Sequence, residues 1–141
     1  MPVTDRTSPI LALLASVGTF LVLWQVRYEL DRGAVIDGNL WRTLDASVLY
    51  IIVLAPGAVA AYLVPSRWLG LGVLAAYLAA VTGQLVRLAI AVVQSRHHGP
   101  VDLPSAVVLA DIAISSLPDA ILGVAGSALG LVLARRSNQG G

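Results

Sequence analysis

The feature that most narrows what this chain can become is the run from Trp68 to Val93, twenty-six residues in which Arg87 carries the lone charge. As a helix it measures about 39 Å, against about 30 Å for the hydrocarbon core of a bilayer. Three more apolar segments accompany it, at 10–26, 46–64 and 106–134. Runs of this length with few charges are the signature of helices that cross lipid. Composition agrees: 57% of the residues are apolar and 12% charged, a departure from soluble domains toward the membrane class. The expected fold is therefore all-α, an integral membrane four-helix bundle forming a single transmembrane domain over residues 1–141.

The first segment, Ile10 to Val26, also has the outline of a secretory signal. Its apolar part is long for one, and Trp24, Gln25 and Arg27 stand where small residues should mark a cleavage site. A retained anchor is expected, with Trp24 and Tyr28 at the interface. The connection from Arg27 to Asp45 is the longest polar stretch and holds an Asp37-Gly38 turn signal. Within it, Asn39 to Leu44 has the pattern of one turn of interfacial helix, Trp41 and Leu44 toward lipid and Arg42 toward water. Pro56 falls inside the second segment and should free a carbonyl and bend the helix.

The fourth segment is interrupted. Asp111, Ser115, Ser116, Pro118 and Asp119 precede a clean apolar stretch from Ala120 to Ala134. Ser116-Leu117-Pro118-Asp119 has the pattern of a capping box with proline just inside a helix start, and Asp102-Leu103-Pro104 offers a second start upstream. The segment is expected either as one long helix kinked at Pro118, the favoured form, or as a short helix followed by a separate one from Leu117.

With four crossings the termini share a side with the Pro65 to Arg67 turn. That side carries Arg6, Arg67, Arg135 and Arg136, and the other carries Arg27, Arg32, Arg42 and Arg96. The positive-inside count is thus even. The doubled arginine beside the last segment, and acidic residues gathered in the opposite loops, favour cytoplasmic termini. All nine basic residues are arginine, an association with bacterial genomes that places the chain in a bacterial inner membrane.

Charges inside such segments cost about 2.5–3.5 kcal/mol on insertion scales, so they face protein and have partners. Ala80, Gly83, Gln84 and Arg87 make one small and polar face of the third segment. Asp111, Ser115 and Asp119 make another on the fourth, if it is continuous. Depth counting sets Arg87 between Asp111 and Asp119. Gln84, Arg87, Asp111, Ser115 and Asp119 are accordingly the candidate intramembrane polar cluster. Three readings of Arg87 stand: a head that snorkels to water, a structural pair with Asp111 or Asp119, or part of an ion or proton path. Gly123, Gly126, Ser127 and Gly130 form a strip of short side chains, including a G-x-x-x-G, that suits close helix packing within the chain or between copies.

His97 and His98 are the two histidines, in a loop with Asp102. No third nitrogen or sulfur ligand accompanies them, so no metal site is expected. The absence of cysteine excludes disulfides, iron–sulfur clusters and thiolate metal sites. A net charge of +1 gives no footprint for nucleic acid. Hydrolase, nucleotide-binding and zinc-protease motifs are missing, and Asp111 and Asp119 lack the glycine-containing motifs of intramembrane aspartyl proteases. The sequence thus predicts a non-enzymatic accessory, assembly or interaction subunit without cofactor. Its partners would be the lipid bilayer and either its own copies or another membrane protein. The alternative is a small oligomeric transporter or channel using Asp119, Asp111 and Arg87.

Overall fold

A computed structural model describes residues 3–33, 38–96, 99 and 105–141. The described residues hold helices and no strand. Their order is α1 (Pro9–Gly33), α2 (Gly38–Leu63), a 3-10 turn (Pro65–Arg67), α3 (Trp68–Ser95), α4 (Ala106–Ser115) and α5 (Leu117–Gln139). Four segments are long and apolar enough to cross a membrane: Pro9–Asp31, Leu44–Leu63, Pro65–Ser95 and Ala106–Gln139.

Local chemistry explains most of the boundaries. Ser8 stands before Pro9, and its hydroxyl accepts from the Leu11 amide at 3.4 Å, so α1 opens with a proline where no N–H is needed. The first helix runs past the expected end at Val26 to Gly33, the polar residues after Arg27 continuing its turns. Asn39 to Leu44 is not a separate interfacial turn. It is the first part of α2, which begins at Gly38 and continues unbroken through the buried Pro56.

The fourth segment is divided. Ser116 separates α4 from α5, so the continuous helix kinked at Pro118 gives way to two helices. Pro118 has no N–H to return to Ile114, and the ladder lapses there. The capping box does not form. Ser116 keeps αR torsions, φ −83° and ψ −11°, and its hydroxyl donates back to the Ile112 carbonyl at 2.8 Å instead of capping α5. The Tyr77 hydroxyl donates to the Ala113 carbonyl at 3.0 Å, so a neighbouring helix supplies a donor beside the break.

Helices α2 and α3 form the centre, with α1 seated against both on one side and α5 against both on the other. Much of the core is made of small residues, beside a few larger ones such as Phe20, Ile52 and Leu71. Ala60, Ala75, Ala79, Gly72, Gly123, Gly126, Ser127 and Gly130 are all buried. Buried Ser16, Ser116 and Ser127 each donate to the carbonyl four residues back, which leaves no orphaned hydroxyl. Large apolar side chains point outward instead, Ile10, Val107 and Ile121 each more than 70% exposed. Such a surface is the reverse of a water-soluble bundle.

At the end that holds both described termini, residues before α1 strap the bundle. The Arg6 amide donates to the Leu63 carbonyl at 2.8 Å, and its guanidinium stacks 4.0 Å above the Tyr62 ring. The Ser66 hydroxyl and amide donate to the Asp5 carboxylate at 2.6 and 3.0 Å. These bonds, the hydroxyl's first, hold the Asp5 carboxyl below its ordinary value of 3.8. A depressed pKa contributes stability that is complete above about pH 4 and fades as pH falls through the lowered value. The Ser66 amide chemical shift should stay constant from neutral pH down to that point and then move. In Asp5→Asn it should not move at all.

Candidate functional site

A cavity of about 700 Å³ lies where α2 and α4 fail to meet. Phe20 and Trp24 of α1, Tyr50 and Pro56 of α2, and Val108 and Ile112 of α4 contribute to its wall. Helix α3 supplies the whole small and polar face anticipated from its spacing, Ala80, Gly83, Gln84 and Arg87, and α5 supplies Asp119. Tyr50, Val108 and Leu122 border it and are exposed, so it opens sideways on the apolar flank of the bundle.

Gln84 is the polar hub. Its side-chain amide donates to the Ser116 hydroxyl at 3.0 Å, and its carbonyl oxygen accepts from the Ser115 hydroxyl at 3.1 Å. The break between α4 and α5 is thereby clamped to α3. Asp119 follows Ser116 by about one turn, and Arg87 follows Gln84 by about one turn. Because α3 and α5 run antiparallel, the two are displaced in opposite directions, by about 9 Å along the axis. Of the three readings of Arg87, the pair does not form among the described residues: neither Asp119 nor Asp111 is joined to it. Asp111 is exposed on α4 and does not line the cavity, since the break at Ser116 rotates it off the face it would share with Asp119 on a continuous helix.

The Arg87 guanidinium turns toward α1 and lies 4.2 Å over the Trp24 ring. Trp24 also stacks on Phe20, centroids 5.8 Å apart, and has the Arg27 guanidinium 5.6 Å from its centre. Cation–π contacts of this kind contribute about 0.5–2 kcal/mol, more where water is excluded. Arg27 is held in turn by Asp45, with Nε at 2.6 Å and a second nitrogen at 2.9 Å from the two carboxylate oxygens. Counting from the strapped end, Arg27, Asp45 and Arg87 all fall at about 27–29 Å. One layer therefore gathers the charged groups.

Of the candidate cluster, then, the fold unites Gln84 with Ser115, brings Arg87 and Asp119 to the same cavity, and leaves Asp111 outside. Trp24, Ser116 and the Arg27–Asp45 pair complete this region. Equal height on adjacent helices was the available signal for Arg27 and Asp45. In the sequence Trp24 has the place of an interfacial anchor and Ser116 that of a cap, and either role conceals the present one.

The packing strip lies inside the chain and borders the cavity at Ala76. A Cβ on Gly126 would strike the Leu54 carbonyl, and one on Gly130 the Ala58 carbonyl. Gly123 and Ser127 meet Gly57, Gly72 and Ala76. His97, His98, Asp102, Pro104 and Asp37 lie outside the described residues. Among the described residues no group of three or more His, Cys, Asp or Glu is placed to hold a metal. No protein-family model, curated protein or solved structure matches this chain.

Proposed function

We propose that this chain is a non-enzymatic, multi-pass membrane protein of a bacterial cytoplasmic membrane, both termini cytoplasmic, that works by holding a lipophilic guest in its lateral cavity. In this reading its part is that of an accessory or interaction subunit. The observation that carries it is the sideways cavity of about 700 Å³, inside the range of roughly 300–1,000 Å³ typical of ligand sites, with apolar walls and a few convergent polar groups. The exposed apolar flank and the four long apolar helices support the lipid setting.

Native mass spectrometry of the detergent-purified chain after exposure to a mixed lipid extract tests it. The wild type should retain one lipid-mass adduct through detergent stripping. Ala80→Trp and Ile112→Trp, which fill the cavity, should lose it while keeping helical circular dichroism. Equal retention by the filled variants sinks the reading. A second reading, coupled transport of an ion or proton, is favoured by one observation, the Asp119 carboxylate on the cavity wall. It requires that Asp119→Asn abolish flux in proteoliposomes, and unchanged flux removes it.

A further inference from the structure

A smaller cavity, about 170 Å³, is lined by Trp24, Arg27, Tyr28, Asp31 and Arg87. It shares Trp24 and Arg87 with the large one, so the two lie side by side at these residues. We propose that together they form a phospholipid site. The small cavity takes a zwitterionic head group bearing a phosphate and a primary ammonium, and the large one takes an acyl chain. This rests on the lateral-cavity reading above and names its guest.

Three features lead to that chemistry. The first is level. Arg87, Arg27 and Asp45 share a height of about 27–29 Å from the strapped end, which matches the far head-group boundary of a hydrocarbon core about 30 Å thick. The large cavity extends inward from there along α3 as far as Ala76, about 22 Å from Ala91. A leaflet's worth of acyl chain, about 15 Å, fits with its head at the charged layer.

The second is charge. Arg27 is already matched by the two oxygens of Asp45. Arg87 forms no ion pair with a carboxylate among the described residues and rests on an indole face. A guanidinium that lines both cavities at that level can recognise phosphate. Asp31, on the wall of the same small cavity, supplies the opposite sign. A carboxylate accepts several hydrogen bonds, so contacts it already makes leave room for an ammonium. The small cavity thus presents both signs, Arg87 and Arg27 beside Asp31, which suits a zwitterion.

The third is the aromatic ring. Arg87 and Arg27 already lie by Trp24, so a quaternary ammonium seated on that ring would meet two like charges. A primary ammonium, which donates hydrogen bonds to Asp31, is selected over a trimethylated one. One turn deeper, Gln84 spends one amide hydrogen on Ser116 and keeps the other for the ester carbonyls.

The test is competition among lipids of identical chains on the full-length protein in detergent, read by native mass spectrometry. Phosphatidylethanolamine should be retained over phosphatidylglycerol and phosphatidylcholine by about tenfold, the scale of one charge-assisted contact. Arg87→Gln should reduce retention of all three by a similar factor, and Arg87→Lys should recover part of it. Asp31→Asn should abolish the preference and leave retention of phosphatidylglycerol intact. Arg96→Gln, outside both cavities, should change nothing. Soluble phosphoethanolamine at equal concentration should not displace the lipid. Displacement by the soluble head group, equal retention of the three lipids, or displacement of the lipid by a copurifying protein helix would each overturn the assignment. If an adduct persists and only the head-group preference is missing, the cavity reading survives and this inference alone fails.

Discussion

Gly126→Ala and Gly130→Ala are expected to destabilise the bundle, and Gly126→Leu to prevent α2 and α5 from closing on each other. Each new Cβ would meet backbone, the carbonyl of Leu54 in one case and of Ala58 in the other, and no side chain can rotate out of the way. Overpacking of a close-fitted core costs about 1–3 kcal/mol per site, and here the relief available is separation of the two helices. Gly57 on the facing helix is as tightly placed, since a Cβ added there would come 2.7 Å from the Gly123 carbonyl. Gly18 and Gly70 provide the contrast. Nothing lies within 4 Å of a Cβ at either, so alanine there should be neutral or stabilising by up to about 1 kcal/mol through helix propensity. Sodium dodecyl sulfate titrations followed by far-ultraviolet circular dichroism give the comparison. Indistinguishable midpoints for Gly126→Ala and Gly18→Ala would show that α2 and α5 are not in close contact.

The strip Gly123, Gly126, Ser127 and Gly130 was legible because small residues at helical spacing have few uses in an apolar helix other than close approach. The number of apolar segments was legible for a similar reason, since run length against bilayer thickness leaves little freedom. The partner of Arg87 was not. Depth counting sets it between Asp111 and Asp119, but height alone does not say toward which neighbour a long flexible side chain turns. The choice depended on α1, whose Trp24 offered an aromatic face, and on the break at Ser116, which rotated Asp111 away. Ser116 itself illustrates the limit. Its pattern with Asp119 suits a cap, yet capping needs extended torsions at that residue, and packing of Gln84 against the break kept it helical.

The Arg27–Asp45 pair should prove to be the strongest single polar link between α1 and α2. Its geometry is the two-pronged arrangement that makes guanidinium–carboxylate contacts tighter than lysine ones, at 2.6 and 2.9 Å. The side chains are 24% and 29% exposed, so water screens the pair in part, and it should hold more than an open surface pair and less than a buried one. Asp45→Asn strands the guanidinium charge but leaves it beside Trp24. Arg27→Gln strands the carboxylate and loses the indole contact too, so it should be the costlier of the two. In a double-mutant cycle on detergent unfolding, the two losses should be less than additive by about the energy of the pair. Arg27→Asp combined with Asp45→Arg should recover part of it. Because the pair is partly sheltered, raising salt toward 1 M, where screening acts over about 3 Å, should shrink the coupling without erasing it. Strict additivity at low salt would mean that α1 is held to α2 by its apolar contacts around Ile52 and Phe20 alone, with the ion pair a bystander.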